Sequence, residues 1–128
     1  MLADTTFLMD FYAERLARRP GPATACLARH RTDAFRISVV SIAEFSAGFP
    51  NPLQARVFLD MFHCLRLFSE AAYEAGAIDR ELIVLGGRLG EADNLIAGTS
   101  RYYGMPLVSN DRAFDRVRGL RRIAYQPS

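Results

Sequence analysis

Apolar positions along this chain switch between two periods. The opening run Met1-Leu2-Ala3 is short, apolar and closed by Asp4, which predicts a brief strand leading into a helix from near Phe7. Arg19-Pro20-Gly21-Pro22 should end that helix, and a second follows over roughly 23–31. The β-branched stretch FRISVV (35–40) predicts a strand, and 41–48 a helix stopped by Gly48. Leu53, Val57, Phe58, Met61 and Phe62 recur at helical spacing. CLRLF (64–68) then predicts a strand, and 70–85 a helix with Ala71, Ala75, Ile78 and Leu82 on one face. Beyond Gly86, Gly87 and Gly90, the spacing of Ala92, Leu95, Ile96, Thr99, Tyr102 and Tyr103 predicts a helix over 91–103 with one buried stripe. MPLVS (105–109) and RRIAY (121–125) predict two last strands around a short helix at 111–117.

Strands that alternate with helices imply an α/β fold with a mostly parallel sheet covered on both faces. Ligands of such folds bind beyond the carboxyl ends of the strands, near a topological switch point. The length of 128 residues fits a single domain, 1–128, that buries its core without disulfides. No apolar run approaches the roughly 20 residues of a membrane span, and the opening lacks a basic leader, so a cytoplasmic protein is expected.

Composition narrows the chemistry. Cys26 and Cys64 form no CxxC pair and read as buried thiols, while His30 and His63 lack zinc-type spacing. Any metal site would therefore be built from oxygen. All 16 basic residues are arginine, so no lysine is present to act in a Walker-type phosphate loop or a Schiff base. Biased base composition of the genome would also produce that usage.

Four acids stand at predicted edges. Asp4 follows the first strand, Glu44 and Asp93 lie in the first turns of their helices, and Asp111 follows PLVS. Each has a local explanation: Ser41-Ile42-Ala43-Glu44 matches a capping box, Asp93 suits a helix N-terminus, and Asp4 and Asp111 suit caps or turns. Jointly, however, converging carboxylates repel one another unless a cation neutralises them. Magnesium or manganese, which favour hard oxygen ligands, would resolve that conflict.

These residues resemble those of the PIN-domain ribonucleases, and the chain is similar in size to the VapC toxins of type II toxin–antitoxin pairs. LADTTFLMDF resembles the family's opening strand and D-[ST]-[NS] turn, with Asp4 as first acid and Thr6 where Asn or Ser is usual. ISVVSIAEFSAG is similar to the segment carrying the second acid, Glu44. DNLIAGTSRYYGMPLVSNDRAFDRV resembles the D-x-x-I-A-A stretch and the L-V-[ST]-x-D-x-x-F end, with Asp93 and Asp111 as third and fourth acids and Gly98 in place of the second alanine. Asp115 or Asn110 is an alternative fourth member.

The resemblance implies a three-layer α/β/α fold and hydrolysis of RNA by Mg2+ or Mn2+ held by Asp4, Glu44, Asp93 and Asp111, leaving a 5′ phosphate and a 3′ hydroxyl. It also implies a homodimer neutralised by a cognate antitoxin protein. Phe11, Tyr12, Leu16 and Leu27 suit either a partner surface or the core. Arg112, Arg116, Arg118, Arg121 and Arg122 crowd the sequence near the fourth acid and suggest phosphate contacts; Tyr102 and Tyr103 suggest base stacking. Two rivals stand beside this reading. One is a catalytically inactive module that binds RNA or protein; the other is an aspartate-dependent phosphatase, which normally requires a lysine that this chain lacks.

Overall fold

A computed structural model describes residues 1–126. Five parallel strands form one sheet: β1 (Leu2–Ala3), β2 (Arg36–Ser38), β3 (His63–Leu65), β4 (Leu107–Val108) and β5 (Arg122–Ile123), in the order β3-β2-β1-β4-β5. Six helices surround it: α1 (Thr5–Ala17), α2 (Pro22–Arg29), α3 (Val39–Ser46), α4 (Pro52–Leu59), α5 (Ser69–Leu85) and α6 (Glu91–Tyr103). A 3-10 helix, Arg112–Arg116, links β4 to β5. The expected three-layer α/β/α architecture is thus present.

β1 lies at the centre of the sheet and both of its residues are fully buried. Two apolar clusters sandwich the sheet. One holds Phe7, Phe11, Phe45 and Phe58 with α1–α4, and the other holds Ile78, Leu82, Ile96 and Phe114 with α5, α6 and the 3-10 helix. The predicted stripe of α5 is realised, with Ala71, Ala75, Ile78 and Leu82 all buried. In α6 burial is broader than predicted and runs continuously from Ile96 to Ser100. Gly98 accounts for part of this: a Cβ there would stand 2.8 Å from the Ala71 carbonyl oxygen and from Ala75 Cβ, so α5 and α6 cross where only a glycine fits.

The boundary after β2 differs from the expectation. Val39 and Val40 are helical, and Ser38 is the N-cap, its Oγ accepting from Ser41 N at 3.1 Å. Ser41 therefore caps nothing, and no capping box with Glu44 forms. The β3 strand likewise begins one residue early and ends at Leu65, in register with Ser38 of β2. Asp10, which reads as a surface charge six residues after Asp4, is partly buried and accepts a hydrogen bond from the Tyr125 hydroxyl. Among the described residues no helix is long and apolar enough to cross a membrane.

Candidate active site at the carboxyl edge of the sheet

The chain leaves β1 to build one side of the sheet, then returns to place β4 on the other side of β1. The switch point therefore lies between β1 and β4. Asp4 directly follows the first of these strands, and Asp111 follows the second by three residues.

Asp4 is 5% exposed and caps α1, its Oδ1 accepting from Phe7 N at 2.8 Å. Pairing of Ala3 with Val108 sets Ser109 beside it, and the Ser109 hydroxyl bonds to the Asp4 carboxyl. The same hydroxyl accepts from Asp111 N at 3.0 Å, so one buried serine ties the first acid to the backbone of the fourth. Burial pushes the Asp4 carboxyl up to about 6; its bonds to Ser109 and Phe7 oppose this, while the Asp93 and Asp111 charges reinforce it.

Asp93 occupies the first turn of α6 and is partly buried. Its pKa is also raised, first by desolvation, then by the charges of Asp111 and Glu44. Glu44 stands in the second turn of α3, not the first, and is exposed. It is steered from α1: the Thr5 hydroxyl donates to Glu44 Oε1 at 2.6 Å and lies 3.0 Å from the Ser41 hydroxyl. Asp111 caps the 3-10 helix, accepting from Ala113 N at 2.9 Å. Asp93 and Asp111 thus act electrostatically on Asp4, and Asp111 and Glu44 on Asp93, which makes Asp93 the link between Glu44 and the other two acids.

The two alternative fourth members are otherwise engaged. Asp115 forms a two-point pair with Arg122, at 2.8 and 3.0 Å, and Asn110 Oδ1 accepts from the backbone of Tyr125 and Gln126.

The five arginines are spread out. Arg122 is occupied by Asp115 and by the Ser109 carbonyl. Arg121 precedes β5 and Arg118 offers its carbonyl to Arg101 in the last turn of α6, so both mark the opposite, amino edge of the sheet. Arg112 directly follows Asp111, and Arg116 stands at the far end of the 3-10 helix that Asp111 caps, where it donates to the Gly87 carbonyl. Tyr103 is partly buried, its hydroxyl donating to the Arg66 carbonyl at 2.7 Å. Tyr102 is exposed, but nine residues along α6 from Asp93, or about 13 Å, it stands away from the acids. Thr5 and Ser109 are the two polar residues to which sequence reasoning assigned no role. Each sits inside a quoted motif beside a candidate acid.

Among the described residues no set of three or more His, Cys, Asp or Glu side chains is arranged to hold an ion as it stands. The groups at this edge are nonetheless all hard oxygens, the four carboxylates with the Ser109 and Thr5 hydroxyls that orient them. Magnesium needs only one or two carboxylates, the remainder being water and phosphate oxygens. A buried carboxyl held near 6 beside two further acids fits such a cation, whose charge would relieve the repulsion.

A model of the PIN domain matches residues 1–120. Similar solved structures include a DNA-bound VapBC from Salmonella typhimurium (TM-score 0.82, 22% identity, 98% of this chain and 97% of that one). VapBC2 from Rickettsia felis, bound to a DNA fragment from its promoter, gives a TM-score of 0.80 at 19% identity, covering 98% of each chain. A toxin–antitoxin complex from Klebsiella pneumoniae gives 0.75 at 18% identity, covering 98% and 97%. No curated relative matches. At these identities the structures speak to the fold. With the family model spanning nearly the whole sequence, the chain belongs to the PIN-domain family.

Proposed function

We propose that this chain is a VapC-type ribonuclease, a single catalytic domain over 1–128 that hydrolyses RNA phosphodiesters with Mg2+ or Mn2+. The observation that carries this reading is the buried Asp4 carboxyl at the switch point, raised to about 6 with Asp93 and Asp111 acting on it. Asp4 and Asp93, with Glu44 and Asp111, would hold the ion directly or through water. When bound, it supplies a water of lowered pKa and stabilises charge on the attacked phosphate. The chain's own part is orientation. Ser109 and Phe7 N fix Asp4, Thr5 fixes Glu44, and the Asp111 cap fixes the fourth acid at the rim. A carboxylate that does not ligate the ion directly can accept the proton of the attacking water.

The same reading makes the chain the cytoplasmic toxin of a pair, active as a homodimer and neutralised by a cognate antitoxin. A cleft of about 440 Å3 between α1 and α4, lined by Tyr12, Arg15, Leu53, Val57, Phe58 and Met61, supports a protein partner. Leu53, Val57 and Met61 are more than half exposed, as is Leu16 nearby, whereas Phe11 belongs to the core.

The test is cleavage of labelled RNA by purified protein with Mg2+, with EDTA, and by Asp4→Asn and Asp93→Asn. Metal-dependent cleavage lost in both variants is expected. Wild-type rates from both folded variants would overturn the assignment, and absence of cleavage by the wild type with metal would favour the inactive binding module.

A further inference from the structure

We infer that Arg116 is a substrate-positioning residue that grips an RNA backbone phosphate next to the one under attack; this rests on the ribonuclease reading above. One charge–charge coupling and one hydrogen bond link the 3-10 helix to the approach of α6. At one end Asp111 acts on Asp93. At the other, Arg116 Nη1 donates to the Gly87 carbonyl at 3.2 Å. The two segments therefore run side by side, with acids at one end of the seam and an arginine at the other. The five residues from Asp111 to Arg116 at a 3-10 rise of about 2 Å put the two ends on the order of 10 Å apart, a short step along a nucleic-acid backbone.

Arg116 is braced there. A Cβ on Gly87 would fall 3.2 Å from Arg116 Cδ and 3.4 Å from its Nε and Nη1, so the arm lies flat on the glycine. Bracing of this kind removes the entropy cost that weakens a free surface arginine. Its charge is also uncommitted. Arg88, Arg101 and Arg122 are paired with Asp79, with Glu74 and Glu81, and with Asp115, whereas among the described residues Arg116 bonds only a carbonyl. A guanidinium has five N–H donors, so those not given to Gly87 are left for phosphate oxygens. A cation at this place also counters the acids' repulsion of an RNA strand.

The experiment measures binding of a fluorophore-labelled, mixed-sequence single-stranded RNA to the full chain in EDTA, by anisotropy over a salt series, together with cleavage in Mg2+. Arg116→Ala should weaken binding about tenfold and flatten the logarithmic salt slope by about 0.7, one phosphate contact on a single strand. Arg116→Lys, with the charge but not the planar fork, should recover part of the affinity. Gly87→Ala changes no charge but displaces the arm, and should weaken binding in the same direction. Arg118→Ala, which removes one charge at the amino edge, should leave affinity and slope at wild-type values. Equal affinity and slope for wild type and folded Arg116→Ala would overturn the inference while leaving the ribonuclease reading intact. A wild type that neither binds nor cleaves RNA would overturn both.

Discussion

Replacing Asp4 by asparagine separates a helix cap from a member of a charged cluster, because the two roles predict opposite signs. Asparagine caps helices as well as aspartate does and keeps an oxygen for Phe7 N. A pure cap would lose only the charge–dipole term, about 0.3 to 1 kcal/mol, so the variant would be slightly less stable. The cluster reading predicts the reverse. Folding lifts the Asp4 carboxyl from 3.8 to about 6, so the folded chain holds its proton more tightly than the unfolded one. Stability is then unaffected below the unfolded value and falls as pH rises from about 4 to about 6. The gap at about 1.36 kcal/mol per pH unit amounts to about 3 kcal/mol above pH 6. The Asp4→Asn variant escapes that penalty, although it weakens its partner bonds, so a net gain of about 1 to 3 kcal/mol is expected at about pH 7.5 in EDTA. The gain should vanish near pH 3. Urea denaturation of both proteins across about pH 3 to 8 measures it. Added Mg2+ should then stabilise the wild type at the upper end of that range and leave Asp4→Asn unmoved. Asp4→Asn less stable than wild type at about pH 7.5 in EDTA would refute the cluster reasoning.

Three further perturbations follow from single contacts. Thr5→Ala removes the donor to Glu44 and should cost about 1 kcal/mol in urea denaturation; under the ribonuclease reading it lowers RNA cleavage about tenfold, with Thr5→Ser close to wild type. Gly98→Ala forces a methyl into the α5–α6 crossing and should destabilise by about 1 to 3 kcal/mol in the same assay. Tyr125→Phe leaves Asp10 without its donor in a partly buried place, and a loss of about 1 to 2 kcal/mol in thermal or urea unfolding is expected.

Much of the fold was legible because periodicity reports burial. The stripe Ala71, Ala75, Ile78 and Leu82 recurs at helical spacing and is the buried face of α5. The boundary after β2 shows where this fails. Val39 and Val40 carry strand propensity, yet β2 stops at Ser38, where its register with Leu65 ends and the serine hydroxyl caps α3. Strand propensity is context-dependent and gives way to a cap and a turn of the chain. That shift carries Glu44 from a first turn into a second, where Thr5 can reach it.

Asp4, Asp93 and Asp111 were legible as candidates because each follows a strand or opens a helix, and a parallel sheet brings such positions to one edge; Glu44 stands in a second turn. The arginines were not, for the same geometric reason. Five of them crowd eleven residues of sequence, but the connection from β4 to β5 must travel from the carboxyl edge back to the amino edge of a parallel sheet. Neighbours in sequence are therefore parted: Arg112 stays next to Asp111, Arg118 and Arg121 mark the amino edge, and Arg116 lies between them. Nor could the Ser109 bridge be read in advance, since it depends on the pairing of Ala3 with Val108.

The local and collective roles of Asp4 do not compete. Its cap and Ser109 bonds draw the pKa down, and burial with Asp93 and Asp111 draws it up by more. The caps hold the Asp4 and Asp111 carboxylates in fixed directions, and under the ribonuclease reading the acids' repulsion is what a bound cation would relieve. An exposed Asp would cap as well without the desolvation cost; Asp4 bears that cost because it directly follows the buried central strand β1, which sets it 5% exposed where the Asp93 and Asp111 charges reach it.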